Sequence, residues 1–178
     1  YWDDWAKYRT MFTLVVIDSQ GTAHAAGSVK IGEVGLKPLS RQQDLPKGSR
    51  APTLPEHFTK LDDSFFSLGQ SENYYETLNQ LSEAHRTEIL EALNDCAFDP
   101  DIYQRHKNEY VMSESLLRGV SESSVRNRLH RLANGNPILT SFDFSFEFPA
   151  VDSSTDQVPT LTFNVSPNSM PPSNIHVV

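Results

Sequence analysis

Three arginines close together are the residues with the clearest chemical potential in this sequence. The stretch 116–132 reads LLRGVSESSVRNRLHRL and contains Arg126, Arg128 and Arg131. This stretch resembles the second half of a helix-turn-helix, whose recognition helix contacts base edges. It contains a turn with Gly, then a Ser suited to cap the next helix, and then Arg and Asn. In this interpretation Arg126, Asn127 and Arg128 read the bases, and Arg126, Arg128 and Arg131 are the candidate nucleic-acid-binding residues.

The same stretch also fits a purely structural αα-hairpin. In that interpretation the apolar residues pack together and the three arginines are solvated on the outside. The packed set is Leu116, Leu117, Val125, Leu129 and Leu132. The formal charge of the 178-residue chain is −8, and residues 101–135 form its one basic island, with a net charge of +2. A strongly acidic protein repels a phosphate backbone, so the charge favours the hairpin.

Other combinations of residues that do chemistry are absent from the sequence. The six His have no H-E-x-x-H spacing, and Cys96 is the single cysteine, so a metal site is not expected. No G-x-S-x-G motif marks a nucleophile. Two carboxylate pairs, Asp62 with Asp63 and Asp99 with Asp101, flank predicted helix ends, where Asp caps the helix. We therefore expect no catalytic residue, no metal and no bound cofactor within this chain.

The elements that position the arginines follow from periodicity and turn signals. Residues 1–33 contain two extended, β-branched runs around Ser19-Gln20-Gly21, which predicts an antiparallel hairpin. Residues 34–64 carry four prolines and predict a long surface loop. Residues 65–135 show apolar spacing of three to four and predict four helices. One begins near Ser82, one spans 101–120, and the last is capped by Ser121 and ended by Gly135.

Extended structure returns in residues 136–178. Four phenylalanines alternate with polar residues and predict a strand with a buried aromatic face: Phe142, Phe144, Phe146 and Phe148. Two further strands are expected at 159–165 and 175–178. The predicted class is α+β, with one antiparallel sheet made of the N-terminal hairpin and the C-terminal strands, and a four-helix block inserted between them.

The termini and composition give two further expectations. Tyr1, Trp2, Trp5 and Tyr8 form an aromatic cluster that either pins the N-terminus to the body or binds a partner. The single cysteine favours a reducing compartment, and no run approaches the roughly 18 to 20 apolar residues of a membrane helix. The expected location is the cytoplasm.

These pieces together resemble a known family. The hairpin FTLVVIDSQGTAHAAGSVKIG, the aromatic strand LTSFDFSFEFP and the final LTFNVSPNSMPPSNIHVV are similar to the amino-terminal portion of ABC-type ATPases of the SMC-like branch, and more narrowly to ATP-binding proteins of bacterial antiviral defence systems. In that family the strand matching residues 174–178 runs into the phosphate-binding Walker A loop. No G-x-x-x-x-G-K-[ST] occurs here, so the resemblance implies a chain cut before its nucleotide site.

Three functional hypotheses follow. The resemblance implies the amino-terminal part of a defence ATPase, whose parent protein binds ATP and Mg²⁺ and whose partners are the rest of the same polypeptide, further copies, or a defence-system protein. The second hypothesis is a helix-turn-helix DNA-binding protein. The third is a non-catalytic module that binds another protein.

Overall fold

The chain divides into two compact units. The computed structural model describes residues 8–36, 51–136, 142–147, 160–165 and 174–177. The division between the units falls between Asn136 and Pro137. Each unit is described by itself.

The first unit begins with the hairpin that the sequence predicts. Strand β1 (Met11–Ile17) pairs antiparallel with β2 (Ala23–Glu33), with a bulge where β2 accommodates one extra residue opposite Leu14 and Val15. In the connecting turn, the Asp18 carboxylate accepts hydrogen bonds from two backbone N–H groups and contacts His24 Nε2 at 2.8 Å. The bond with His24, followed by one from the backbone, holds the pKa of Asp18 below its usual value. The hairpin prediction is confirmed.

A third strand follows where the sequence predicted the start of the helical block. Strand β3 (Phe65–Gly69) pairs antiparallel with β2, which gives the sheet order β1-β2-β3. All five of its residues are buried. A strand covered on both faces has a continuous apolar run in place of alternation, and so short a run cannot be distinguished from a helix by periodicity. The expectation of helical structure from residue 65 is therefore wrong for 65–69.

Short helices follow β3. They are α1 (Glu72–Leu78), α2 (Glu83–Ala92), α3 (Pro100–His106), α4 (Tyr110–Glu114), a 3₁₀ turn (Leu116–Arg118), α5 (Glu122–Ser124), a π-helical turn (Val125–Leu129) and α6 (His130–Ala133). The single helix predicted for 101–120 is broken into pieces, because Glu109 has extended backbone angles between α3 and α4. Residues 51–64 contain neither helix nor strand, as their prolines predict.

The core of the first unit lies between the sheet and these helices. Its largest fully buried side chains belong to β3, to α1, α2 and α4, to the 3₁₀ and π-helical turns, and to the segments before β1 and β3: Tyr8, Leu61, Phe66, Leu68, Tyr74, Tyr75, Leu78, Leu90, Val111, Met112, Leu116 and Val125. Each such aliphatic or aromatic side chain contributes roughly 1.5 to 3 kcal/mol when removed from water. The burial of Tyr8 agrees with the pinned N-terminus, while the other aromatics of that cluster lie outside the described residues.

The second unit has its own antiparallel sheet. Strands β4 (Phe142–Glu147), β5 (Thr160–Val165) and β6 (Asn174–Val177) pair in the order β4-β5-β6. The α+β class is confirmed, but the described strands form two sheets and not the single sheet expected, because β3 and not a C-terminal strand pairs with β2. Phe146 is 55% exposed, against the expectation of a buried aromatic face. Phe148 lies outside the described residues.

No helix in the described ranges has both the length and the apolar character needed to cross a membrane.

Candidate functional site

The three arginines lie on the last helical stretch of the first unit, residues 122–133. Ser121 begins it by accepting a hydrogen bond from the Ser124 N–H, and Gly135 ends it at φ +74°, where glycine is unstrained. Both signals were predicted from the sequence. Between them the backbone passes through the π-helical turn Val125–Leu129. Such turns are rare and frequently occur at functional sites.

One face of residues 122–133 is fixed in the core. Val125, Leu129 and Leu132 are each buried to within 3% of full burial, and Leu116 from the preceding 3₁₀ turn is fully buried. Asn79 of the α1 end donates its amide to the Leu132 carbonyl at 3.0 Å, and His130 Nδ1 lies 2.7 Å from the Ala97 carbonyl. Four of the five residues that the αα-hairpin interpretation packs together are thus buried, while Leu117 is half-buried.

The opposite face presents the arginines, but each has a partner. Arg128 Nη2 lies 2.8 Å from Glu72 Oε2 at the start of α1, and Arg126 Nη1 lies 3.7 Å from Glu122 Oε1 one turn earlier. Arg131 is half-buried and also engaged in an interaction. The structure thus brings Arg126 and Arg128 to the surface as ion pairs, while Arg131 sits closer to the core.

These ion pairs reduce what the surface can offer to a phosphate. The side chains of Arg126 and Arg128 are 59% and 42% exposed, so each pair stabilises the fold by at most about 1 kcal/mol. A phosphate can compete with such a pair, yet it then leaves Glu72 or Glu122 close by as a like charge. Nucleic-acid contact by Arg126, Arg128 and Arg131 remains a prediction that the geometry does not favour.

The carboxylate pairs singled out in the sequence act locally on the backbone. Asp99 caps α3 by accepting a hydrogen bond from the Asp101 N–H at 2.8 Å, which confirms its capping role. Asp62 accepts from both the N–H and the hydroxyl of Ser64, in the turn before β3 and not at a helix end. These bonds hold the pKa of Asp62 below its usual value.

A buried polar cluster that the sequence did not reveal joins β3 to the helices. The Tyr75 hydroxyl donates to the Asp95 carboxylate, with oxygen distances of 3.1 and 3.2 Å, and accepts a hydrogen bond from the Gly69 N–H at 3.0 Å. Asp95 also accepts from the N–H groups of Ala97 and Phe98, each at 2.9 Å. Both side chains are fully buried. A buried charge is tolerated only with such partners.

The pKa values in this cluster are displaced by burial. Loss of hydration raises the pKa of Asp95 from 3.8 to about 6, and hydrogen bonds from Phe98, Tyr75, Ala97 and Gly69 oppose that rise. Burial, followed by the charge of Asp95, also raises the pKa of the Tyr75 hydroxyl and of the adjacent Cys96 thiol. A cysteine with a raised pKa is protonated and unreactive at neutral pH. The cluster is therefore suited to holding the fold together and not to nucleophilic chemistry.

Asn94, next to Asp95, ties the loop before β3 to the end of α2. Its side-chain amide donates to the carbonyls of Leu61, Asp62 and Phe65 at 2.9 to 3.1 Å. Its backbone is in the left-handed region, with φ +50°. Asn tolerates this conformation better than most residues. The signal available in the sequence was the pair Asn94-Asp95 after a helix, which is typical of turns.

Two depressions adjoin this region. One cavity, of about 370 Å³, is lined by Lys60, Leu90, Glu91, Asn94, Phe98, Asp99, Pro100 and Ile102. A more open groove of about 820 Å³ runs along the polar face of α2 beside Thr59 and Lys60. Neither contains the three arginines. Across the described ranges, no group of three or more His, Cys, Asp or Glu side chains is placed to hold a metal ion.

The described elements define an α+β protein with two antiparallel sheets and no recognisable catalytic constellation in the part that the structure describes. The chain is 37% identical over 175 residues to protein ea59 of Escherichia phage lambda, and the alignment covers 98% of this chain. It covers 31% of the lambda protein, so the chain spans about a third of the length of that relative. No established family profile matches the chain, and no solved structure matches it significantly.

Proposed function

We propose that the chain is the amino-terminal region of an ABC-type ATPase of the SMC-like branch that acts in bacterial antiphage defence, with ATP hydrolysis carried by a part of the polypeptide outside these 178 residues. The helical block of the first unit is then an accessory or assembly surface. ATP and Mg²⁺ bind to the parent protein and not to this chain, and the protein works in the cytoplasm.

The arrangement of the second unit is the observation that carries this proposal. Positions 161–164 of β5 pair antiparallel with positions 177–174 of β6, and β5 pairs in the same sense with β4. An antiparallel sheet whose last strand is β6 agrees with the family resemblance, in which the matching strand leads into the phosphate-binding loop. The length of the lambda relative, about three times the aligned part, leaves room for a nucleotide-binding core.

The first test is the reading frame that follows codon 178. We expect a glycine-rich loop ending in Gly-Lys-Ser or Gly-Lys-Thr within about fifteen codons, because backbone N–H groups and one lysine supply phosphate affinity. A stop codon directly after Val178 would overturn the proposal.

The second test compares two proteins in calorimetric titrations with Mg-ATP. The parent protein is expected to bind and hydrolyse ATP, and alanine in place of the motif lysine is expected to abolish hydrolysis. The 178-residue chain is expected to show no binding, because it lacks the loop. Micromolar binding to the 178-residue chain would mean that the nucleotide site is misplaced. The defence role is tested separately by plaque counts on cells with and without the parent gene.

The helix-turn-helix alternative has less support, because Arg128 and Arg126 are paired with Glu72 and Glu122. The alternative of a protein-binding module is favoured by one specific observation, the exposed apolar side chains of Val15 and Ile17 on strand β1.

A further inference from the structure

The cavity of about 370 Å³ beside Asn94 combines an apolar wall with polar groups that the fold leaves unused. Four of its lining residues form the wall: Leu90, Phe98, Pro100 and Ile102. Leu90 is fully buried and Ile102 is 7% exposed, so the wall belongs to the packed core of the first unit. This size, and a mostly apolar lining with a few polar groups, are typical of small-molecule sites. We call this space the Asn94 cavity.

Asn94 supplies the cavity with a buried hydrogen-bond acceptor. Its Nδ2 donates to the carbonyls of Leu61, Asp62 and Phe65. Only the amide nitrogen can donate to a carbonyl, so these contacts fix which side of the group carries Oδ1. In the described part of the chain Oδ1 has no hydrogen-bond partner, and it is not sealed from solvent although Asn94 is only 4% exposed. Because Asn94 lines the cavity, Oδ1 is available to a donor bound there.

Two carboxylates also line the cavity. Asp99 is half-buried and uses Oδ1 to accept from the Asp101 N–H, which leaves its Oδ2 without a hydrogen bond to any described residue. Glu91 is exposed in the last turn of α2, and its carboxylate has neither an ion pair nor a hydrogen bond within the described ranges. Several acceptors around one space, two of them negatively charged, favour a cationic group with several donors. A protonated primary amine has three.

Lys60 is the one cation among the described residues of the lining. The neighbouring Leu61 N–H donates to the Ala92 carbonyl at 2.9 Å, which holds this part of the chain against the end of α2. The Lys60 ammonium has no ion pair with a carboxylate of the described residues. A purely cationic ligand would meet Lys60 as a like charge, and a purely anionic one would meet Asp99 and Glu91. The lining therefore favours a molecule that carries both charges.

We propose that the Asn94 cavity binds a small zwitterion, namely an α-amino acid with an apolar side chain. The α-ammonium group donates to Asn94 Oδ1 and to the Asp99 carboxylate. The carboxylate of the amino acid pairs with Lys60, whose long, flexible side chain lets its ammonium reach the ligand. The apolar side chain packs on the wall of the cavity. This inference goes beyond the proposed ATPase function and does not depend on it.

The first test is calorimetric titration of the full 178-residue chain with L-leucine and with L-phenylalanine. We expect saturable binding of at least one of them, with a Kd of about 1 mM or tighter. The N-acetyl derivative of the tighter binder lacks the ammonium group, and its amide derivative lacks the carboxylate. Each derivative should bind at least about tenfold more weakly than the free amino acid, because each loses a charge-assisted hydrogen bond.

Two substitutions test which residue holds which charge. Asp99→Asn removes the charge but keeps a good cap for α3, and it should weaken binding of the amino acid at least about tenfold. Asp101→Asn removes the same charge from an exposed position of α3 outside the lining, so this matched control should bind like the unsubstituted chain. Lys60→Gln should weaken binding of the amino acid but not of its amide, which has no carboxylate for Lys60 to hold. Thermal unfolding checks that each variant folds.

Three outcomes would overturn the inference. The first is no saturable binding of either amino acid up to roughly 10 mM. The second is equal binding of the amino acid and its N-acetyl derivative, which would mean that the ammonium group is not recognised. The third is an equal effect of Asp99→Asn and Asp101→Asn, which would place the bound molecule outside the Asn94 cavity.

Discussion

The hydroxyl of Tyr75 and the carboxylate of Asp95 lie 3.1 Å apart in a fully buried setting, twenty residues from each other in the sequence. Through the Gly69 N–H, which donates to the same hydroxyl, this contact connects α1, β3 and the turn after α2.

Removing the Tyr75 hydroxyl should destabilise the protein. Tyr75→Phe leaves the Gly69 N–H without its acceptor, which costs roughly 1 to 3 kcal/mol for an unsatisfied buried group, and it removes the side-chain donor of Asp95, which keeps its bonds from Ala97 and Phe98. Urea denaturation at pH 7 measures the loss in the free energy of unfolding. Tyr110→Phe, at a 59% exposed tyrosine, is the control and should change little. Equal midpoints for the two variants would contradict the role assigned to Tyr75.

As pH rises from 4 to 6, titration of Asp95 should lower the free energy of unfolding. Its pKa is about 6 in the folded protein and 3.8 when unperturbed, so in this window the folded state binds the proton more tightly. Stability therefore decreases as pH rises, by about 1.4 kcal/mol per pH unit and on the order of 3 kcal/mol in total. Asp95→Asn cannot titrate. The difference in unfolding free energy between the unsubstituted 178-residue chain and Asp95→Asn should therefore favour the unsubstituted chain more at pH 4 than at pH 7.

Asp62→Asn provides a contrast of opposite sign. The pKa of Asp62 is lowered in the folded protein, so its contribution is present above pH 3.8 and is lost as pH falls further. The difference between the parent and Asp62→Asn should therefore shrink on acidification. If the unfolding free energies of the unsubstituted chain and of Asp95→Asn change with pH in parallel, the raised pKa of Asp95 is wrong.

Two substitutions at Asn94 separate backbone conformation from hydrogen bonding. Both Asn94→Gly and Asn94→Ala remove the amide that donates to Leu61, Asp62 and Phe65, but glycine adopts φ +50° without strain. We expect both to be destabilised, and alanine by about 1 to 2 kcal/mol more than glycine. Thermal unfolding of the three chains measures this order. An alanine variant as stable as the glycine variant would mean that the left-handed conformation is not retained.

The arginine face should contribute little to DNA affinity. Changing Arg126, Arg128 and Arg131 together to Gln is expected to leave duplex binding nearly unchanged, because two of the three are paired with glutamates. If they do contact phosphates, each lost contact lowers the slope of log K against log salt by about 0.9. Titrations of duplex DNA with the unsubstituted chain and with the triple variant, at two salt concentrations, distinguish these cases. Nanomolar, sequence-selective binding that disappears in the triple variant would restore the helix-turn-helix hypothesis.

What the sequence predicted correctly was local. The β1-β2 hairpin, the helix start near Ser82 and the caps at Ser121 and Gly135 depend on neighbouring residues, and all are present. Strand β3 was misread because its conformation is decided by pairing with β2, more than thirty residues earlier.

The contacts that define the site are long-range, and a single sequence does not reveal them. Arg128 pairs with Glu72 and Tyr75 with Asp95 only after α1 has packed beside the later helices. Periodicity placed the arginines on the exposed side of their helix correctly for Arg126 and Arg128. It could not show which acidic side chains would face them.

The amide of Asn94 has a consequence for the covalent chain. By holding the carbonyls of Leu61, Asp62 and Phe65, it closes a loop of about thirty residues that contains β3, α1 and α2. A disulfide would perform the same closure in an oxidising compartment, but this chain has one cysteine. Reductants do not affect the hydrogen bonds of Asn94, and these bonds break when the end of α2 unfolds. The amides of this loop should therefore exchange with solvent together, as one cooperative unit.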